Sequence, residues 1–135
     1  MTRPRLTRRT LCLLVILAGA KSIAADPEFN YLLHCGGCHL ENGGGDPPII
    51  PDLRKDLDYL SLIPAGRAYI VQVPGSSQAP LNDAELAEVL NWMFERFYPT
   101  AELQHYSADE IAGYRGVIMM DPLKIRATLI SQHQP

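Results

Sequence analysis

The chain has 135 residues, 47% of them hydrophobic and 20% charged, and its 12 basic and 15 acidic side chains leave a formal net charge of −3. That length allows one domain at most, and no internal repeat or low-complexity tract suggests a solenoid or a fibre. An acidic balance argues against nucleic acid or an anionic membrane surface as a partner.

The first segment reads as an export leader. Arg3, Arg5, Arg8 and Arg9 precede an uncharged apolar run, Leu11–Ala20, and a small-residue stretch follows up to Ala25. This order predicts a secretory signal peptide over residues 1–25, cut after Ala24 or Ala25, because the apolar run is too short to cross a bilayer. Thr7–Leu11 resembles a twin-arginine signal, but paired arginines are common in basic leaders. Cys12 lies inside the apolar run rather than at a cleavage site, so no lipid anchor is expected. Loss of residues 1–25 removes Arg3, Arg5, Arg8, Arg9 and Lys21 and no acid, leaving 7 basic and 15 acidic side chains, a net of −8. The expected mature protein is periplasmic or otherwise exported, with no stable membrane anchor.

Asp26-Pro27 opens the first predicted helix, with Phe29, Leu32 and Leu33 at helical spacing. Glu41–Leu53 is dense in Gly and Pro and predicts a loop. Two short helices are expected in the segments 54–63 and 66–73, separated by Pro64, although the second has the composition of a strand. Pro74–Pro80 predicts a second irregular loop. The clearest helix comes next: Asn82 with Glu85 makes a capping-box start, Leu86, Val89, Leu90, Met93, Phe94 and Phe97 form one apolar stripe, and Pro99 ends it. Ser107 with Glu110, and Asp121 before Pro122, mark two further helix starts. The predicted fold class is all-α with long loops.

The chemistry concentrates in His34-Cys35-Gly36-Gly37-Cys38-His39. A zinc site normally gathers four ligands from two separated pairs, and no second cysteine pair exists once Cys12 departs. A thioredoxin-like redox pair calls for a βαβ context that is absent here, and a disulfide closing so short a loop adds little stability. Cys-x-x-Cys-His is the attachment pattern for c-type haem: two thiols form thioethers to the porphyrin vinyl groups, and the histidine ligates the iron. Gly36 and Gly37 let the backbone pass close to the ring edge. Cysteines destined for covalent haem outside the cytoplasm must arrive unfolded, which favours the general secretory route.

With Cys35-Gly36-Gly37-Cys38-His39, the Gly43/Gly45 pair, Pro51-Asp52-Leu53 and the aromatic Trp92 on a late helix, the sequence resembles the small monohaem class I cytochromes c from about Phe29 to Tyr98. The resemblance implies a cytochrome c domain over residues 26–99 and a helical extension over 100–135. It implies one covalently attached haem c, held by Cys35 and Cys38, with His39 as the proximal ligand to iron. It further implies that the carbonyl of Pro51 orients the His39 ring, and that the helix Asp83–Tyr98 crosses the first helix with Trp92 and Phe29 at the contact. Candidate pocket residues are Leu32, Leu33, Ile49, Ile50, Leu53, Tyr69 and Val73.

The family takes its sixth iron ligand, a methionine, from the loop before its last helix. The corresponding loop here, Val73–Asp83, holds neither methionine nor histidine. Gln78, Met93, Met119, Met120 and His105 are the candidates, and an open sixth position is the remaining alternative; His34 precedes the first anchor cysteine and His133 lies at the chain end. The extension is expected either to strap the domain, or to cover the haem edge or dock onto a partner enzyme. The resulting expectation is a one-electron carrier, not an enzyme, that takes electrons from a periplasmic dehydrogenase and passes them toward a terminal acceptor through salt-sensitive docking. The competing expectation is a haem protein with an open site that senses gases or acts as a weak peroxidase.

Overall fold

A computed structural model describes residues 26–132, so the expected leader and His133 lie outside the described residues. The elements are α1 (Pro27–His34), α2 (Gly36–His39), α3 (Leu57–Leu62), α4 (Pro64–Gln72), α5 (Pro74–Ser77), α6 (Asp83–Phe97), α7 (Ala108–Arg115) and α8 (Pro122–Ser131). Among the described residues there is no strand, only an isolated bridge between Asp46 and Ile50. None of these helices is long and apolar enough to cross a membrane.

Helix boundaries follow local chemistry. The Asp26 carboxylate accepts from the Glu28 amide at 3.0 Å, and Pro27 occupies the first turn of α1, where its missing N–H is not needed. Both bonds of the capping box at α6 are made: Glu85 N–H donates to Asn82 Oδ1 at 3.0 Å, and Asn82 N–H donates to Glu85 Oε2 at 2.8 Å. The Ser107 and Asp121 side chains cap α7 and α8 by single bonds, accepting from the Glu110 and Lys124 amides at 3.2 and 3.1 Å. The segment open between helix and strand, residues 66–73, is helical as part of α4 up to Gln72, with Val73 as its C-cap, and Arg67, Tyr69, Ile70 and Val71 are buried. The loop expected at Pro74–Pro80 instead begins with a single helical turn, α5, started by Pro74.

The core is the apolar face of α6 packed against α1, with α3, α4 and α7 closing the sides. Leu86, Val89, Leu90, Met93 and Phe94 are buried as the stripe predicts, and Phe97 is half-buried. The α1–α6 contact differs in phase from the expected one. Phe29 is 58% exposed, and Tyr31 takes its place, fully buried with its ring centroid 5.0 Å from that of Trp92 and 5.8 Å from that of Phe97. Two helical positions rotate the inward direction by ~200°, so Asn30 and Tyr31 face the core while Phe29, Leu32 and Leu33 face outward.

Residues 100–132 share this core. Tyr106, Ile111 and Leu129 are buried in it. Arg67, buried on α4, is the tie: its Nε and Nη2 meet the Glu110 carboxylate at 2.6 and 2.7 Å, and its Nη1 donates to the carbonyls of Gln104 at 2.8 Å and Ser61 at 3.3 Å. Its guanidinium also stacks 4.0 Å from the centre of the Tyr106 ring, whose hydroxyl returns a bond to the Arg67 carbonyl. Such a bidentate, stacked arrangement uses the planar fork that lysine lacks. Replacing one partner of a buried pair strands the other, so Arg67→Ala is expected to cost about 3 kcal/mol in denaturant unfolding, and Arg67→Lys to recover only part of it.

Candidate functional site

Helix α1 runs almost directly into α2, with Cys35 at the junction. The Cys35 carbonyl accepts from the amides of Cys38 and His39, which tightens the motif into one turn, and Cys35, Cys38 and His39 line one cavity. Cys35 is half-buried and Cys38 exposed, and no disulfide joins them. Burial, followed by the nearness of Cys38, pushes the Cys35 thiol up to about 11.

The following loop is shaped to return a carbonyl to His39. Leu40 ends the turn at φ 62° and ψ 165°, a region costly for any side chain, and Tyr31 Oη donates to its carbonyl at 2.7 Å. Gly43 and Gly45 take positive φ of 77° and 62°; a Cβ at Gly43 would meet the Phe97 ring at 2.8 Å, and one at Gly45 would meet the Ile50 carbonyl at 2.5 Å. Glycine is thus required at both. The loop then brings the Pro51 carbonyl to His39 Nδ1 at 3.1 Å. A carbonyl can only accept, so Nδ1 carries the proton, and Nε2 is left with a free lone pair and no partner among the described residues. Burial pushes the His39 imidazole below its ordinary value, against the opposing effect of the Pro51 bond. The ring is therefore a neutral donor of one lone pair.

Asp52 and Tyr98 anchor the loop after Pro51. Arg54 Nε and Nη2 grip the buried Asp52 carboxylate at 2.8 Å each. The Tyr98 hydroxyl donates to the Leu53 carbonyl at 2.9 Å and accepts from the Leu57 amide at 3.2 Å. His39 and the cysteines face a cavity of about 340 Å³, within the range of roughly 300–1,000 Å³ typical of small-molecule and cofactor sites.

Of the expected pocket residues, Ile49, Leu53, Tyr69 and Val73 line this cavity, whereas Leu32, Leu33 and Ile50 do not. Leu32 and Leu33 fall on the outer face of α1 for the reason of phase given above. The walls that sequence reasoning missed are Leu57, Leu60 and Ile70 from α3 and α4, Leu86 and Leu90 from α6, and Pro122, Leu123 and Arg126 from α8. The stripe on α6 announced Leu86 and Leu90 as buried without indicating that a cavity lies against them. Nothing local announced α8.

Of the five side chains considered as a sixth ligand, Met93 lines the cavity. Gln78 follows α5 and does not reach it. Met119 packs at the edge of the core and Met120 is 88% exposed. His105 Nε2 lies 3.5 Å from Glu95, away from the cavity. His34 lines it as well.

Two thiols one turn apart, a neutral imidazole with Nε2 free, and an apolar cavity fit a covalently attached haem. Among the described residues no group of three or more His, Cys, Asp and Glu side chains could itself hold a metal ion. The described residues form an all-α, cytochrome c-like fold. No family model and no solved structure matches the sequence. Cytochrome c-552 from Thermus thermophilus is 27% identical over 145 aligned positions, covering 94% of this chain and 92% of that protein. This distant likeness supports a relationship to the cytochrome c family.

The Arg54 hydrogen bonds hold the Asp52 carboxyl at about 2, below its ordinary 3.8, against the opposing effect of burial. Because the folded value is the lower one, the pair stabilises the fold fully above about pH 4, and that contribution is lost as pH falls through about 2. Asp52→Asn is therefore expected to flatten the acid limb of a stability-against-pH curve between about pH 5 and pH 2. Leu40→Gly relieves backbone strain at a half-exposed position and is expected to raise the unfolding free energy by about 1 kcal/mol.

Proposed function

We propose that this chain is an exported monohaem c-type cytochrome that carries one electron at a time. The observation that carries the reading is the convergence of Cys35, Cys38 and a Pro51-oriented His39 on one apolar cavity. Cys35 and Cys38 would hold haem c through two thioethers, and His39 would ligate its iron through Nε2. Bound haem supplies a one-electron iron couple.

The protein's own residues serve to keep that couple in a constant setting. The Pro51 carbonyl fixes the tautomer and rotation of His39, as partners of ligating histidines generally do. Leu57, Leu60, Ile70, Leu86 and Leu90 give the cavity apolar walls that would shield a bound haem from water. We assign the sixth ligand to Met93, because it is the candidate that lines the cavity. No general acid or base is needed, and the role is that of a carrier rather than an enzyme.

A second reading has its own observation. The segment Val73-Pro74-Gly75-Ser76 lines the cavity where the family would bring a methionine, and it offers neither sulfur nor imidazole. With Met93 held at 5% exposure in the α6 stripe, the sixth position would stay open to small ligands.

Export is supported by the basic, apolar and small-residue order of residues 1–25 and by the chemistry of haem attachment. The acidic mature surface, a net of −8, suits docking to basic patches on a dehydrogenase that donates electrons and on a terminal acceptor, with association rates that fall as salt rises.

Absorption spectra of the mature, haem-loaded protein, oxidised and reduced, with and without carbon monoxide, separate the two readings. The carrier reading expects a low-spin spectrum with a sulfur-to-iron band, insensitive to carbon monoxide, and loss of that band in Met93→Ala. A high-spin ferric spectrum whose reduced form binds carbon monoxide readily would establish the open site. Cys35→Ser with Cys38→Ser is expected to abolish covalent haem, read as pigment that extracts into acidic organic solvent.

A further inference from the structure

Between residues 26 and 135 acids outnumber bases 15 to 7, yet the fixed charges that line the cavity are both positive. They are Lys55 and Arg126, and no aspartate or glutamate lines it. Cations at an apolar cavity of an acidic protein suit an anionic group on the ligand where they keep donors beyond those that their carboxylate neighbours take up.

The two cations are not equivalent. The Lys55 side chain is 73% exposed, and its ammonium lies 4.0 Å from Asp52. Arg126 is 21% exposed and arrives from α8, in the segment that lies beyond the minimal family fold. Its Nη2 donates to Asp56 Oδ2 at 2.9 Å and to the Lys55 carbonyl at 3.4 Å. The Nε and Nη1 donors have no partner among the described residues. A guanidinium so placed keeps donors in the planar fork that fits a carboxylate. Tyr69, buried beside the same cavity, lies within the field of Arg126, and its hydroxyl also has no partner among the described residues. The cavity thus carries a guanidinium and a phenol with donors to spare.

Haem has one kind of anionic group, its two propionate carboxylates. Resting on the haem reading above, we propose that Arg126 is a binding residue for a haem propionate, brought to the cavity by the C-terminal segment and positioned there by Asp56. The charge of Arg126 then favours the reduced, less positive iron, and the charge of Asp56 opposes it.

The test compares Arg126→Gln, Arg126→Lys and Asp56→Asn in the mature haem-loaded protein. Haem content is read from the alkaline pyridine spectrum and the midpoint potential from spectroelectrochemical titration. Asp56 sits at φ 64°, which asparagine tolerates well, so Asp56→Asn removes a charge with little disturbance of the backbone. The expected result is a potential that falls in Arg126→Gln, stays close to the parent in Arg126→Lys and rises in Asp56→Asn. General loosening of the cavity would move the glutamine and asparagine variants in one direction, so opposite signs identify an electrostatic role. Unchanged potentials, or shifts of one sign, with one haem per chain would overturn the proposal and leave the haem reading intact. If Arg126→Gln does not fold, a potential that fails to rise in Asp56→Asn overturns it. A parent chain without covalent haem would overturn both readings before any potential is measured.

Discussion

The hydrogen bond from His39 Nδ1 to the Pro51 carbonyl is the constraint around which the site is built. Twelve residues separate the partners, and nearly every unusual feature of the intervening chain helps bring them together. Leu40 turns through a backbone region that side chains avoid, Gly43 and Gly45 take positive φ, and a Cβ at either glycine would collide with Phe97 or with the Ile50 and Pro51 carbonyls. Tyr31 pins the start of the loop through Leu40, and Tyr98 pins the segment beyond Pro51 through Leu53 and Leu57. Both tyrosines are buried enough that their hydroxyls rise to about 12, so they stay neutral donors across the physiological range. The imidazole is held as one tautomer by backbone geometry rather than by a carboxylate.

Three arginines make the C-terminal segment part of the same structure, each by a different contact. Arg67 reaches out from α4 to Glu110 and to the backbone before α7. Arg115, at the end of α7, donates to the carbonyls of Ser77, Ala79 and Leu81 and meets Asp83, so it holds the connection between α5 and α6 where no regular element satisfies those groups. Arg126 pairs with Asp56 beside the cavity. Guanidinium suits these places because one planar group can satisfy several carbonyls and a carboxylate at once. Arg67 and Arg115 tie this segment down, while Pro122, Leu123 and Arg126 form cavity wall.

The cavity lies against the buried core of the domain. Leu57, Leu60, Ile70, Leu86 and Leu90 belong to the packed core and also line the cavity, so a group bound there would extend that core. Exposed apolar side chains occur at the cavity, at Ile49 and Leu123, and away from it on the outer face of α1 at Phe29, Leu32 and Leu33 and around Ile118 and Met120. Their position follows from helix phase and loop geometry.

Local chemistry was legible in the sequence. The Asn82–Glu85 capping box, the caps at Asp26, Ser107 and Asp121, the apolar stripe of α6 and the glycines before Pro51 are short-range signals, and each acts over a few residues. The Cys35–His39 cluster is equally local, five consecutive residues drawn into one turn. What only the tertiary structure decided involves partners far apart in the chain: that Tyr31 rather than Phe29 meets Trp92, that Met93 rather than Gln78, His105, Met119 or Met120 lines the cavity, and that Arg126 stands beside Asp56 seventy residues away. A single-residue offset of a helix turns its faces by about 100°, and periodicity over one short helix cannot fix that phase when Phe29, Tyr31, Leu32 and Leu33 are all apolar enough to point inward. Packing against α6 settled it, because the Tyr31 ring packs against the Trp92–Phe97 pair while its hydroxyl reaches the Leu40 carbonyl.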